Sequence, residues 1–130
     1  MLLLSCASWH QSGRETPVDI SVRKQSEVQV IKLRGSLKLG ESVDEFKALV
    51  SELLQSDDIS IVLNLEDVPI IDSSGIGALV RGFTSAKQKG GSIKLVQPSK
   101  MVVQTLKMVG MLNLFETFQT DEEAVGSFAA

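Results

Sequence analysis

Ile61-Val62-Leu63-Asn64-Leu65-Glu66-Asp67-Val68-Pro69-Ile70-Ile71-Asp72-Ser73-Ser74-Gly75-Ile76-Gly77 decides the fold. Its first part, extended back to Ile59, is dense in β-branched and aliphatic residues, as a central strand covered by other elements must be. A short loop follows, and Asp72, Ser73 and Ser74 stand where a helix begins, since Asp and Ser are preferred N-caps. That helix is predicted from about Ser74 to Lys89. Ile76, Leu79, Val80 and Phe83 form its inward stripe, while Arg81, Ser85 and Gln88 point away. Gly90-Gly91 stops it, and Ser92 to Val96 reads as the next strand. A strand–helix–strand unit of this length is a crossover, so its two strands are expected to be parallel.

Upstream, Val18 to Arg23 alternates apolar and polar residues, and so does Val28 to Leu33, with Val28 and Val30 opposed to Ile31 and Leu33. The break at Lys24-Gln25-Ser26-Glu27 makes a β-hairpin of the pair. Gly35 ends the second strand. Ser42, with Glu45 three residues on, fits a capping box for a first helix, along which Val43, Phe46, Leu49, Val50, Leu53 and Leu54 recur at helical spacing.

Downstream, Pro98-Ser99 opens a third helix with Val102, Leu106 and Val109 as its core stripe, ended by Gly110. Met101 and Met108 fall on its outward side, and Met111 in the loop beyond. Leu112 to Phe118 returns to the body of the fold through a short edge strand. Asp121 to Phe128 is a last helix whose first-turn acids complement the helix dipole. The order β-β-α-β-α-β-α-(β)-α is that of an α/β domain with helices packed against a sheet.

The chain has 130 residues, a mass of 14.1 kDa and a formal charge of −3, with 43% hydrophobic and 22% charged residues. One domain with its own core is expected. The charge carries no nucleic-acid footprint and no basic membrane patch. Five Phe, one Trp and no Tyr leave little for base stacking. The only cysteine and histidine, Cys6 and His10, lie in the first ten residues, so neither an internal disulfide nor a Cys/His metal cluster can be built. Met1-Leu2-Leu3-Leu4 lacks the basic flank and the length of an export signal. No run approaches the ~18 apolar residues of a membrane span. A cytoplasmic protein is expected, with residues 1–16 as a disordered N-terminal extension and 17–130 as the domain.

Ser73 invites three chemical readings. A nucleophilic serine needs a base and a group to orient it, and the one histidine is remote in sequence. Gly75-Ile76-Gly77 lacks the third glycine of a dinucleotide fingerprint, and no phosphate loop is present. Glu66, Asp67 and Asp72 read as a solvated rim rather than a catalytic pair. What remains is a cap that can also be a switch. A helix N-terminus tolerates a phosphate, and Gly75 and Gly77 keep the first turn bare, so the hydroxyls are reachable by another protein.

Taken together, Val62-Leu63-Asn64-Leu65 through Asp72-Ser73-Ser74-Gly75-Ile76-Gly77, the run Gly90-Gly91-Ser92-Ile93-Lys94-Leu95-Val96 and the closing Leu106-Lys107-Met108-Val109-Gly110-Met111-Leu112-Asn113-Leu114-Phe115 resemble the STAS domain of bacterial anti-sigma factor antagonists. The resemblance covers roughly residues 18 to 128. It implies a STAS-type single α/β domain, with a mixed sheet of four to five strands and helices packed largely on one face. It also implies a non-enzymatic phospho-switch. The serine after the aspartate, Ser73, would be phosphorylated by a partner that is both anti-sigma factor and serine kinase, with Ser74 a lesser acceptor. The unphosphorylated form would bind that partner and release a sigma factor, and a serine phosphatase would restore it. Asp72, Ser73, Ser74, Gly75, Ile76 and Lys38 would lie at the contact surface. Like-charge repulsion from Asp72, and from Glu66 and Asp67 if they are near, would oppose docking of the phosphorylated form.

No cofactor, metal, nucleic acid or membrane insertion is implied, and the chain is expected to be a monomer or weak dimer. The sequence departs from the family at Gly35-Ser36-Leu37-Lys38, where relatives often carry Gly-x-Leu-Asp. The reversed charge at Lys38 bears on which partner is recognised. The second function compatible with the resemblance is a STAS subunit docked constitutively in a membrane lipid-transport complex.

Overall fold

In the computed structural model, which describes residues 18–129, the Ile61–Leu65 segment lies in the middle of a five-stranded sheet. The strands are β1 (Val18–Gln25), β2 (Val28–Gly35), β3 (Ser60–Asp67), β4 (Ser92–Val96) and β5 (Thr117–Phe118), arranged in sequence order across the sheet. The extension expected over residues 1–16 lies outside the described residues. β1 and β2 form the expected antiparallel hairpin, with Ile20 opposite Leu33 and Gln25 opposite Val28. Ser26 and Glu27 at its turn both have positive φ, 52° and 67°, the left-handed pair whose twist matches that of a hairpin. The remaining pairs are parallel: Val30 with Val62, Leu63 with Leu95, Val96 with Phe118.

Each parallel pair is joined by a helix: α1 (Glu41–Gln55), α2 (Ser73–Gln88) and α3 (Lys100–Met108). Crossovers of one hand between successive neighbours put all three helices on the same face. The main core lies there, between Ile31, Leu33, Leu63 and Leu95 of the sheet and Phe46, Leu49, Leu79 and Leu106 of the helices. Phe46 is fully buried, a contribution of about 2–3 kcal/mol from removal of its ring from water. The other sheet face carries a smaller cluster of Val28, Val30, Val62 and Val96, covered by Ala124 and Val125 of α4 (Asp121–Ala129). The mixed sheet with helices largely on one face is thus as the sequence implies.

Two local expectations are corrected. Ser42 does not cap α1. The helix begins at Glu41 with Gly40 as its N-cap and no side-chain cap bond. Ser42 is buried, its hydroxyl accepting from the Lys38 N–H (3.0 Å) and donating to the Lys38 carbonyl (2.7 Å). It therefore clamps the loop before the helix. Val109 does not join the core stripe of α3. The helix ends at Met108, Gly110 turns the chain at φ 74°, and the Met111 N–H bonds the Leu106 carbonyl (2.8 Å). Met111 packs inward in place of Val109, which is left exposed. Met101 and Met108 point outward as expected.

Candidate functional site

The site forms where the exit of β2 runs beside the exit of β3. Leu37 and Ile71 make an isolated parallel bridge. The Leu37 N–H donates to the Ile70 carbonyl (3.0 Å), and the Asp72 N–H donates to the Leu37 carbonyl (3.2 Å). Both side chains of that bridge are buried, which fixes the two loops against the core.

Asp72 is the N-cap of α2, with an extended backbone. One carboxylate oxygen accepts from the Gly75 N–H (2.9 Å), the other from the Leu39 N–H (2.9 Å). A single side chain therefore closes the helix end and ties it to a loop 33 residues upstream. Gly75 makes this approach possible: a Cβ there would stand 2.6 Å from the Ile71 Cγ1 and 2.7 Å from the Leu37 carbonyl oxygen. Its need is space, at a buried position of the first turn.

With Asp72 as cap, Ser73 is the first helical residue, and its side chain is exposed. The sequence put Ser73 at, or one residue before, the helix start, and the structure agrees. Among the described residues its hydroxyl makes no hydrogen bond. Ser74 is half-buried, while Gly75 and Ile76 are buried beneath the pair. Lys38 is exposed, on the residue between the two loop positions that bond Asp72. Leu39, 79% exposed, and Ile70, 40% exposed, add an apolar rim. Ser73 also opens onto a groove of about 700 Å³ between α2 and α3, lined by Ile76, Val80, Arg81, Val109 and Met111.

The charges divide in a way the sequence did not reveal. Asp67 pairs with Lys32 (3.5 Å) and Arg34 (3.7 Å), and Glu66 with Lys32 (4.0 Å). These cations come from β2, so the negative charge of Glu66 and Asp67 is balanced there, and Asp72 is the acid left adjacent to Ser73. Asp72 is held below the ordinary carboxylate value. The Leu39 N–H is the largest cause, opposed by partial desolvation and reinforced by the Gly75 and Ser74 N–H groups and the Lys38 charge.

A lowered folded-state pKa means that the ionised cap stabilises the fold fully above about 3.8, the unperturbed value. That contribution fades as pH falls through the lower folded-state value. Asp72→Ala is expected to cost about 1–2 kcal/mol at neutral pH, the upper part of the range for a lost cap because a second loop loses its acceptor too. Asp72→Asn, with one acceptor oxygen, should fall between. Urea denaturation at neutral pH and at steps down to about pH 3 would show the gap between wild type and Asp72→Asn closing with acid. A gap constant with pH would remove the ionised carboxylate from this account.

No helix among the described residues is long and apolar enough to cross a membrane. The STAS domain family matches residues 19–124. The anti-sigma-B factor antagonist of Bacillus subtilis is 24% identical over 108 residues, covering 83% of this chain and 97% of that one. The anti-sigma F factor antagonist of Paenibacillus polymyxa is 25% identical over 109 residues, covering 83% and 92%. Among solved structures, the anti-sigma factor antagonist SpoIIAA in its unphosphorylated form superposes with a TM-score of 0.73 at 23% identity, covering 85% of this chain and 96% of that one. The family match over residues 19–124, together with a fold shared with solved structures, leads to one conclusion: this chain belongs to the STAS domain family.

Proposed function

We propose that this protein is an anti-sigma factor antagonist that works as a phospho-switch at Ser73, in the cytoplasm and without catalysis of its own. The unphosphorylated form binds an anti-sigma factor that is also a serine kinase, and so frees a sigma factor. Phosphorylation of Ser73 ends that binding, and a serine phosphatase reverses it. The observation that carries the reading is the division of labour at the start of α2. Asp72 does the capping, so among the described residues the Ser73 hydroxyl stands exposed and unbonded on the first turn.

The names of the relatives support the partner class, since both curated relatives described above are anti-sigma factor antagonists. A solved structure of SpoIIAA as a Bacillus cell fate determinant is of its phosphorylated form, which supports the modification class. Asp72, Ser73, Ser74 and Lys38, with the apolar rim of Leu39 and Ile70, make the contact surface, and buried Gly75 and Ile76 support it from below.

The test is affinity purification of the tagged protein from its native host, followed by mass spectrometry of its phosphosites and of the proteins that come with it. A serine kinase in the eluate and phosphate on Ser73 are expected. A phosphate-free bait bound to membrane transport subunits would instead favour the constitutive docking role.

A further inference from the structure

The backbone of Lys38 is held firmly beside Asp72, the residue that precedes Ser73. We propose that Lys38 is the built-in counter-ion of a phosphate on Ser73, holding it against the protein's own surface and keeping it dianionic. The proposal rests on the phosphoserine reading above and adds to it a residue that sets the charge state of the modification.

The placement follows from the backbone. Leu37 pairs with Ile71 in a parallel bridge, so the next residues, Lys38 and Asp72, lie side by side, about 5 Å apart at Cα. Leu37 and Ile71 turn into the core, which sends the side chain of Lys38 to the outer side, where Ser73 is exposed. The bonds on either side of Lys38, from Asp72 N–H to Leu37 and from Leu39 N–H to Asp72, keep the two segments in register. Buried Ser42 then holds both the N–H and the carbonyl of Lys38 itself. The backbone from which this lysine projects is thus held at three consecutive residues.

Its ammonium is free to take a partner. Both Asp72 oxygens are occupied by backbone N–H groups, and among the described residues Lys38 makes no ion pair within 4.0 Å. Its charge nevertheless reaches the spot, since it contributes to lowering the Asp72 pKa. Besides Asp72, α2 carries Arg81, which lines the groove onto which Ser73 opens, and Lys87 in its last turn; α1 carries Glu41, Asp44, Glu45, Lys47 and Glu52, and α3 carries Lys100 and Lys107. Of the cations, Lys38 is the one whose two chain neighbours, Leu37 and Leu39, hydrogen-bond Asp72, the residue preceding Ser73.

A phosphoserine has a second pKa of about 6. Asp72 alone would raise it, and near neutrality a share of the switch would revert to the monoanion. A cation alongside offsets this, so that the modified state stays mostly dianionic near neutral pH.

The experiment puts phosphoserine at residue 73 during synthesis of the full chain, so neither kinase nor partner is needed, and follows its ³¹P chemical shift with pH. Relative to the unsubstituted protein, Lys38→Ala is expected to raise the phosphate's second pKa by about 0.5 unit, the scale of one charge about 6 Å away in a water-like dielectric. Lys38→Arg should keep the low value, and Lys38→Glu should raise it further. Lys47→Ala, an exposed lysine on α1, should leave it unmoved. The Lys38 backbone bonds survive all these changes, and circular dichroism verifies the fold. A phosphate pKa indifferent to Lys38→Ala, or moved equally by Lys47→Ala, overturns the proposal. Absence of phosphate on Ser73 in the host would defeat the switch reading instead, and leaves this titration to be judged by its own result.

Discussion

Ser73→Asp is expected to weaken binding to the anti-sigma factor by about 100-fold, while Ser73→Ala keeps affinity within about threefold of wild type. The magnitude follows from placing a charge beside Asp72 in a docking surface, where a partner must desolvate it even with Lys38 alongside: a charge left imperfectly paired within an interface costs about 2–5 kcal/mol, and each ~1.4 kcal/mol is tenfold. The surroundings sharpen the effect. Leu39 and Ile70 make the rim apolar, so a partner that covers them must strip water from any charge between them. Glu66 and Asp67 are balanced by Lys32 and Arg34 and add little.

Neither substitution should harm the fold. The cap is Asp72, and among the described residues the Ser73 hydroxyl makes no hydrogen bond, so alanine at the first helical position removes none. Aspartate there meets the positive end of the helix and should be neutral or stabilising by a few tenths of a kcal/mol. Thermal melts alongside calorimetric titration of the partner separate the two effects. Full-strength binding by a well-folded Ser73→Asp protein would end the switch model at this residue.

Most of the frame was legible because the periodicities are strong and local. Ile59 to Leu65 admits no other reading than a covered strand, and Gly90-Gly91 and Gly110 punctuate the helices where the chain turns. The double-sided pattern of β2 bears on α4 as well. Val28 and Val30 opposite Ile31 and Leu33 require cover on both faces, and with three helices committed to one face, α4 is the element left for the other.

What was not legible depended on contacts between distant segments. Ser42-x-x-Glu45 has the spacing of a capping box, yet the hydroxyl turns back to Lys38 because that loop is drawn in by Asp72. The two acceptor bonds of Asp72 could be half foreseen: a cap at Gly75 is local, whereas the Leu39 bond exists only once the β2 and β3 exits are parallel neighbours. Val109 fits the helical stripe by number but falls past the point where Gly110 redirects the chain. Gly75 is present in the motif for two reasons that sequence cannot separate, and the 2.7 Å approach to the Leu37 carbonyl shows that space is one of them.

The adjacent glycines after α2 should prove unequal, with Gly91→Ala among the most damaging single changes in the chain. Gly90 and Gly91 look like one helix stop, but they answer different demands. Gly90 has φ 93°, with nothing within 4 Å of a Cβ built on it, so alanine there meets backbone strain alone, about 1–2 kcal/mol. Gly91 has no such torsion. A Cβ on it would lie 2.0 Å from the carbonyl oxygen of Ile59 and 2.5 Å from the Ile59 Cβ, and a backbone atom cannot swing aside as a side chain can. That same carbonyl accepts from the Ser92 N–H (2.9 Å), at the point where β4 joins β3. Moving it pulls on the start of the central parallel pair, while the Gly91 N–H is already committed to the Ala86 carbonyl (2.8 Å) at the helix end. Overpacking costs about 1–3 kcal/mol, and more where a backbone atom must move, a sizeable part of the 5–15 kcal/mol typical of a domain. Gly126→Ala serves as the opposite case: it lies within α4, has open space at its Cβ, and should stabilise by about 0.5–1 kcal/mol through helix propensity. Urea midpoints are therefore expected in the order Gly126→Ala, wild type, Gly90→Ala, Gly91→Ala, with the last poorly folded or recovered in low yield. Gly91→Ala unfolding at the wild-type midpoint would show that β3 and β4 can part enough to admit a methyl group, and would refute the close backbone approach as the reason for glycine at this position.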